Sequence, residues 1–321
     1  MSIRFDGRVA IVTGAGAGLG RSHALGLATR GARVVVNDFG GDVHGAGASS
    51  EPAERVAAEI RAAGGDAIAH GADVTNPDQV ADMVATAIST WGQVDILINN
   101  AGILRDASFA KMSLADFRKV VEVHLMGSVT CTHAVWPHMR AANYGRILMT
   151  TSSSGLYGNF GQSNYGAAKT ALVGLMNVLQ IEGEKNGIRV NTLGPGAATR
   201  MTEALITPDI LKLMTPESVT PTALFLVSED APRRTILNAT AGGVSRTYLH
   251  ETEGVFLPPA DNTPETIAAL FDRISDTADQ HLYETGGGSS WARRRWRRDS
   301  ASSRRSAQRS QASPTRSFSQ R

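Results

Sequence analysis

The segment Thr13-Gly14-Ala15-Gly16-Ala17-Gly18-Leu19-Gly20 limits what this chain can fold into more than any other. It follows a β-branched run, Val9–Thr13, and opens a helical pattern over residues 18–30. A strand that feeds a helix through four glycines implies a backbone turn with no room for Cβ atoms. The first amides of that helix, and the positive end of its dipole, then face the space beyond the strand, where an anionic group is favoured. A glycine turn alone is weak evidence. Here the next strand, residues 33–38, ends on Asp38, and strand, turn, helix, strand and acid in that order mark a dinucleotide site.

The alternation continues along the chain. Residues 51–63 read as a helix and residues 67–72 as a weaker strand. Asn76-Pro77 supplies an N-cap and a first-turn proline for a helix to about Trp91. Residues 94–99 form a fourth strand, and Ser113–Asp116 resembles a capping box that opens a helix near Leu114. Residues 146–151, 188–193 and 236–239 supply the remaining strands, and Thr263-Pro264 caps a helix to about Asp279. Strands that alternate with helices pair in parallel through right-handed crossovers, and strands apolar on both faces need helices on both sides. The expected fold is an α/β doubly wound, Rossmann-type parallel sheet of about seven strands, a single domain over residues 1–285.

In such a sheet the ligand lies at the carboxyl ends of the strands. Gly14, Gly18, Leu19 and Gly20 are the candidate contacts in the first turn. Asp38 can accept bonds from ribose hydroxyls and repels a 2′-phosphate. Its neighbour is Asn37 rather than Arg or Lys, so NAD is expected over NADP. Asp73-Val74 ends the third strand, where an adenine edge would lie. Asn99, Ala101 and Gly102, in the run Asn99-Asn100-Ala101-Gly102, end the fourth, behind the ribose and nicotinamide. No metal site is expected.

Tyr165 and Lys169 are four apart on a helix predicted over residues 164–185, hence on one face. A free tyrosine, with a pKa of ~10, is a poor base at neutral pH. An ammonium and a cationic nicotinamide beside it favour the phenolate. Ser152, thirteen residues earlier at the end of a strand, is placed to hydrogen-bond a substrate oxygen. These three are the candidate catalytic residues. Residues 199–220 are expected to form the wall and lid over the nicotinamide. There Met201, Leu205, Ile206, Leu211, Leu213 and Met214 either line an apolar pocket or pack a short helix.

The chain has 321 residues and a net charge of +2, unevenly spread. Residues 286–321 hold ten Arg and one Asp, while the other 285 residues hold 22 Lys and Arg against 29 Asp and Glu. That Ser-, Arg- and Gln-rich tail, entered through Gly286-Gly287-Gly288-Ser289-Ser290, cannot bury enough apolar surface to fold. It is read as a basic disordered tail, and no nucleic-acid partner is expected. Cys131 is the single cysteine, in an apolar stretch, and reads as a buried structural thiol. The first residues lack an apolar h-region, and no stretch reaches the ~20 apolar residues of a membrane span. A soluble, cytoplasmic protein without a membrane partner is expected.

Taken together, Thr13-Gly14-x-x-x-Gly18-x-Gly20, Asn99-Asn100-Ala101-Gly102, Ser152 and Tyr165-x-x-x-Lys169 resemble the motif set of short-chain dehydrogenases/reductases over about residues 5–245. The resemblance implies Tyr165 as acid/base, Lys169 as the group that binds the nicotinamide ribose and tunes Tyr165, and Ser152 as the group that positions substrate. It also implies a homo-dimer or homo-tetramer. Residues 36–42, 100–106 and 157–165 look more narrowly like the dehydrogenase unit of type 2 peroxisomal multifunctional enzymes. That implies oxidation of (3R)-hydroxyacyl-CoA to 3-ketoacyl-CoA with NAD, on a small-molecule acyl-CoA or a steroid-like alcohol. A 3-oxoacyl thioester or steroid ketone reductase uses the same site in reverse. A non-catalytic dinucleotide sensor with a basic tail is the reading of another class; loss of Tyr165 or Lys169 would favour it, and both are present. Two positions depart from the wider family. His124 stands where most members have Asn, and reads either as part of a proton relay or as a structural histidine. Arg200 stands where many relatives place a cofactor-contacting Thr, and reads either as a contact for a CoA phosphate or as a solvated charge.

Overall fold

The computed structural model describes residues 2–42, 44, 45, 47, 49–196 and 212–287. Among the candidates above, Arg200, Met201, Leu205, Ile206 and Leu211, with the tail from Gly288, lie outside the described residues. The chain divides into two compact units, residues 1–247 and 248–321.

The first unit is one α/β domain. Its elements run β1 (Val9–Thr13), α1 (Gly18–Ala28), β2 (Arg33–Asn37), α2 (Glu51–Ala62), β3 (Asp66–His70), α3 (Pro77–Trp91) and β4 (Ile96–Asn99). They continue through α4 (Leu114–Val121), a π-helical turn (Glu122–Met126), α5 (Gly127–Ala142), β5 (Gly145–Thr150), α6 (Ser153–Tyr157) and α7 (Ser163–Gly183). A short 3-10 turn (Glu184–Asn186) leads to β6 (Ile188–Gly196), α8 (Pro216–Leu226), β7 (Ile236–Thr240) and β8 (Gly243–Thr247). The sheet order is β3-β2-β1-β4-β5-β6-β7-β8. Seven strands are parallel, as the alternation predicts, and β8 turns back antiparallel on β7. β8 escapes the sequence reading because Gly243–Thr247 is mostly exposed, so it lacks the apolar run that marks the others.

Alternate residues of the strands feed two cores, one on each face. Ala10, Val12, Val34, Val36, Ile96 and Ile98 pack with Leu27 of α1, Ile60 of α2 and Leu224 of α8. Val9, Ile11, Val35 and Leu97 pack with Met83 of α3, Met139 of α5 and Met176 of α7. Both faces of β1, β4 and β5 are fully buried, the condition for a parallel sheet. Cys131 is buried in the second core, and burial pushes its thiol up to about 12, so it is inert packing.

The helix boundaries follow local chemistry. The Asn76 side chain accepts from the Asp78 and Gln79 amides at the start of α3, and Ser113 accepts from the Asp116 amide at the start of α4. Thr215 does the same for α8. In the second unit Thr263 caps a helix, α9 (Pro264–Ala269), shorter than its sequence pattern implies; a turn at Leu270 separates it from α10 (Phe271–Ile274). Two short strands, β9 (Glu251–Thr252) and β10 (Gln280–His281), pair antiparallel there. No described helix is long and apolar enough to cross a membrane.

Candidate active site

The strand order sets the carboxyl ends of β3, β2, β1, β4, β5 and β6 side by side, and with them the candidate residues. The turn between β1 and α1 is as tight as the glycines require. Gly14 adopts a φ of +63°, and a Cβ on Gly20 would lie 2.2 Å from the Gly14 carbonyl oxygen. α1 begins after Ala17 with no side-chain cap and no acid in its first turn. Its leading amides therefore remain available for an anionic group, unlike those of α3, α4 and α8.

Asp38 is locked beside this turn. Its Oδ2 accepts from the Gly16 amide at 2.8 Å and its Oδ1 from the Gly40 amide at 2.7 Å. A Cβ on Gly16 would meet that carboxylate at 2.7 Å, so Gly16 is the glycine that lets the acid approach. Each carboxylate oxygen keeps lone pairs for further donors such as ribose hydroxyls. Asp73 braces the next turn, accepting at Oδ1 from the Thr75 amide and hydroxyl. Val74 is buried against Gly127, where a Cβ would approach it to 2.6 Å.

At the end of β4, Asn99 is buried and its side chain donates to the Thr132 hydroxyl at 3.1 Å. Asn100 and Thr13 do more for the glycine turn than the sequence suggests. The Asn100 side chain donates to the carbonyls of Thr13 and Gly14, and the Thr13 hydroxyl accepts from the Asn100 and Ala101 amides. Their role is invisible in spacing, because it runs through backbone atoms. The residues fit a dinucleotide: a cradle closed to side chains, an uncapped helix end for its phosphates and a fixed carboxylate for its ribose.

The catalytic candidates sit on the other side of this edge. Ser152 caps α6, its hydroxyl accepting from the Ser154 amide at 3.2 Å, and it favours the ionised form of the neighbouring Tyr165 phenol. Tyr165 lies in the first turn of α7, which has neither a side-chain cap nor an acid there. Burial raises its pKa, the Ser152 hydroxyl lowers it, and the negative charge of Asp106 raises it. Lys169, one turn on, is buried; its Nζ donates to the Thr150 carbonyl at 2.6 Å and lies 5.5 Å from the Tyr165 ring centroid. Burial alone brings its ammonium down to about 7. The Thr151 hydroxyl donates to the Lys169 carbonyl at 2.9 Å and ties β5 to α7. Asn164, fully buried, donates to the Arg105 carbonyl at 2.9 Å. Sequence spacing points to neither of these braces.

His124 is buried in the π-helical turn, edge-on to Tyr165, with ring centroids 5.1 Å apart. Its Nε2 lies 2.8 Å from the Ile103 carbonyl oxygen and 3.1 Å from the Ile103 amide nitrogen. Its Nδ1 is buried without a partner among the described residues. Burial, then the Lys169 charge, holds its pKa well below the usual histidine range, so the ring is neutral. Gly102 makes way for it, since a Cβ there would fall 2.2 Å from the imidazole Cε1. An open cleft of about 600 Å³ on the outer side of α6 and α7 is lined by Ser154, Asn159, Gln162 and Thr170, and by none of the three catalytic candidates.

Among the described residues no cluster of His, Cys, Asp or Glu suits a metal ion. The arrangement can move a proton between a substrate oxygen and a phenol while a dinucleotide lies alongside. The short chain dehydrogenase family model matches residues 8–209. Peroxisomal multifunctional enzyme type 2 of Mus musculus is 45% identical over 293 residues, covering 89% of this chain and 40% of that enzyme. The solved structure of full-length peroxisomal multifunctional enzyme type 2 from Drosophila melanogaster aligns with a TM-score of 0.75 and 38% identity, over 90% of this chain and 49% of that one. This chain thus spans less than half of either multifunctional enzyme. A 7α-hydroxysteroid dehydrogenase solved with NADH and 7-oxo glycochenodeoxycholic acid aligns with a TM-score of 0.67 and 34% identity, over 75% of this chain and 95% of that one. On fold, site and likeness alike, the chain is an oxidoreductase that belongs to the short-chain dehydrogenase family.

Proposed function

We propose that this oxidoreductase uses NAD to oxidise the secondary alcohol of a (3R)-hydroxyacyl-CoA to the 3-ketoacyl-CoA. The observation that carries the oxidation is the Tyr165 phenol in the first turn of α7, followed one helical turn on by the buried Lys169, with Ser152 lowering its pKa. The nicotinamide, when bound, takes the hydride. Tyr165 takes the hydroxyl proton as phenolate, and Ser152 donates a hydrogen bond to the substrate oxygen. The phenol is held protonated by burial, so phenolate forms as positive charge gathers around it. Lys169 supplies part of that charge, and the uncapped start of α7 supplies a further partial positive charge. The Gly14–Gly20 turn and the α1 amides hold the phosphates, Asp38 takes the ribose hydroxyls, and Lys169 reaches the second ribose. The reverse reduction of a ketone runs through the same groups.

The thioester reading rests on the likeness to the multifunctional enzymes and on handedness. The nicotinamide face and the Ser152–Tyr165 pair fix where hydride and proton leave. The acyl and CoA arms then occupy different clefts, and inverting the alcohol exchanges them. NADH formation from the (3R) and (3S) epimers of a medium-chain 3-hydroxyacyl-CoA, beside a steroid alcohol panel, tests this. The (3R) thioester is expected to dominate; equal rates for the epimers, or turnover of free alcohols alone, would overturn the thioester reading.

A further inference from the structure

The segment after β4 is stitched to the start of α7 at two points. The Arg105 carbonyl accepts from the Asn164 side chain at 2.9 Å, and the Ala107 amide donates to the Gly161 carbonyl at 2.9 Å. Between the stitches lies Asp106, exposed at the edge of the active site. Its carboxylate is nevertheless oriented. Oδ2 accepts from Gln162 Nε2 at 2.7 Å, and Gln162 Oε1 accepts in turn from Asn159 Nδ2 at 3.0 Å. Gln162 stands immediately before α7, three residues from Tyr165.

No cation pairs with this carboxylate among the described residues. The adjacent Arg105 guanidinium is engaged elsewhere, by Asp116 at 2.7 Å and the His44 carbonyl at 2.9 and 3.1 Å. Lys169 is tied to Thr150, and His124 is neutral. Among the described residues no neighbouring cation balances the Asp106 charge, and that charge opposes phenolate formation at Tyr165. For proton abstraction alone that is a handicap. An exposed Asp bonded to a Gln is ordinary on a protein surface; one held by a two-amide chain beside the proton-transferring phenol calls for a second role.

We propose that Asp106 sets charge selectivity at the active-site edge, rejecting substrates with a free carboxylate beside the reacting carbon and admitting those whose carboxyl is masked as an ester or thioester. This rests on the reading of Tyr165 as the proton-transferring group. In a 3-hydroxy acid the carboxylate sits two carbons from the alcohol carbon. When Tyr165 ionises, such a substrate brings a third negative charge close to the phenolate and Asp106, in a partly desolvated site where like charges repel strongly. A thioester carbonyl carries no charge, and the CoA phosphates lie at the far end of a long arm.

The test measures kcat/KM for methyl (3R)-3-hydroxybutyrate and for free (3R)-3-hydroxybutyrate, with wild type, Asp106→Asn and Asp106→Lys. NADH fluorescence on binding reports that each variant keeps its fold. The acid-to-ester ratio is expected to rise at least about fivefold in Asp106→Asn and further in Asp106→Lys, following the change of charge. A smaller rise in both variants overturns the proposal. Wild-type turnover of the ester without turnover of the CoA thioester would overturn the thioester reading while the ratio still decides the role of Asp106. No oxidation of the ester by wild type overturns the proposal for Asp106 and leaves the thioester reading to its own test on the 3-hydroxyacyl-CoA epimers.

Discussion

The two halves of the active-site edge are made of different materials. From β1 to β4 the site is mainly backbone: amides of α1, carbonyls braced by Asn100, and one carboxylate, Asp38, pinned by two further amides. From the π-helical turn to α7 it is side chains: a hydroxyl, a phenol, an ammonium and an imidazole, three of them buried. The first half recognises by shape, and glycine is its chief requirement. On the proposed mechanism the second works by tuned acidity, burial raising the Tyr165 pKa and bringing Lys169 to about 7. Damage to the first half should therefore alter cofactor binding, and damage to the second should alter turnover.

The sharpest break in that comparison is Tyr165→Phe. It should lower kcat by ~10²–10⁴-fold, as removal of a general acid/base does. NADH affinity, read by fluorescence titration, should change little. Near wild-type kcat in the folded variant would remove Tyr165 from the chemistry.

Asp38→Ala probes the other half. The NAD-over-NADP ratio of kcat/KM should fall by roughly tenfold or more, because a repelled 2′-phosphate is no longer opposed and ribose bonds are lost. The turn loses its hold on Gly16 as well, so part of the loss falls on NAD itself. A wild-type preference for NADP would show that Asp38 does not read the ribose.

The smallest effect tests whether the bare start of α1 is kept for a ligand. Ala17 has an extended backbone, φ −158° and ψ 173°, suited to a capping residue. Ala17→Ser should stabilise the protein by ~0.5–1 kcal/mol in chemical denaturation, the worth of an N-cap. It should also weaken NADH binding about threefold, because the new hydroxyl competes for the same amides. Tighter NADH binding would mean that these amides do not face the cofactor.

The first half was legible in the sequence because glycines and an acid in fixed order leave few alternative folds. Ser152, Tyr165 and Lys169 were legible because one strand end and one helical turn bring them together. Their supports were not. Thr150 serves Lys169 through a carbonyl, and Asn164 holds Arg105 through another, so neither depends on a neighbouring residue type. The extra strand β8 and the short helix α6 were missed for a related reason. One is an exposed polar edge and the other is five residues long, and neither carries enough periodicity to stand out.

The π-helical turn at Glu122–Met126 leaves no mark in composition either, yet it has an evolutionary consequence. From Leu114 to Ala142 the chain stays helical, and the wider turn accommodates an additional residue within that rod. Removing one residue there would restore regular winding but swing everything on one side of the deletion by about 100° relative to the other, at 3.6 residues per turn. The side chain facing the phenol would then no longer be His124, or α5 would lose its seat against β4 and β5. An ancestor or descendant with a regular helix at this point must therefore differ in more than one place. Excising the extra residue alone would thus cost either the histidine at the phenol or the seat of α5.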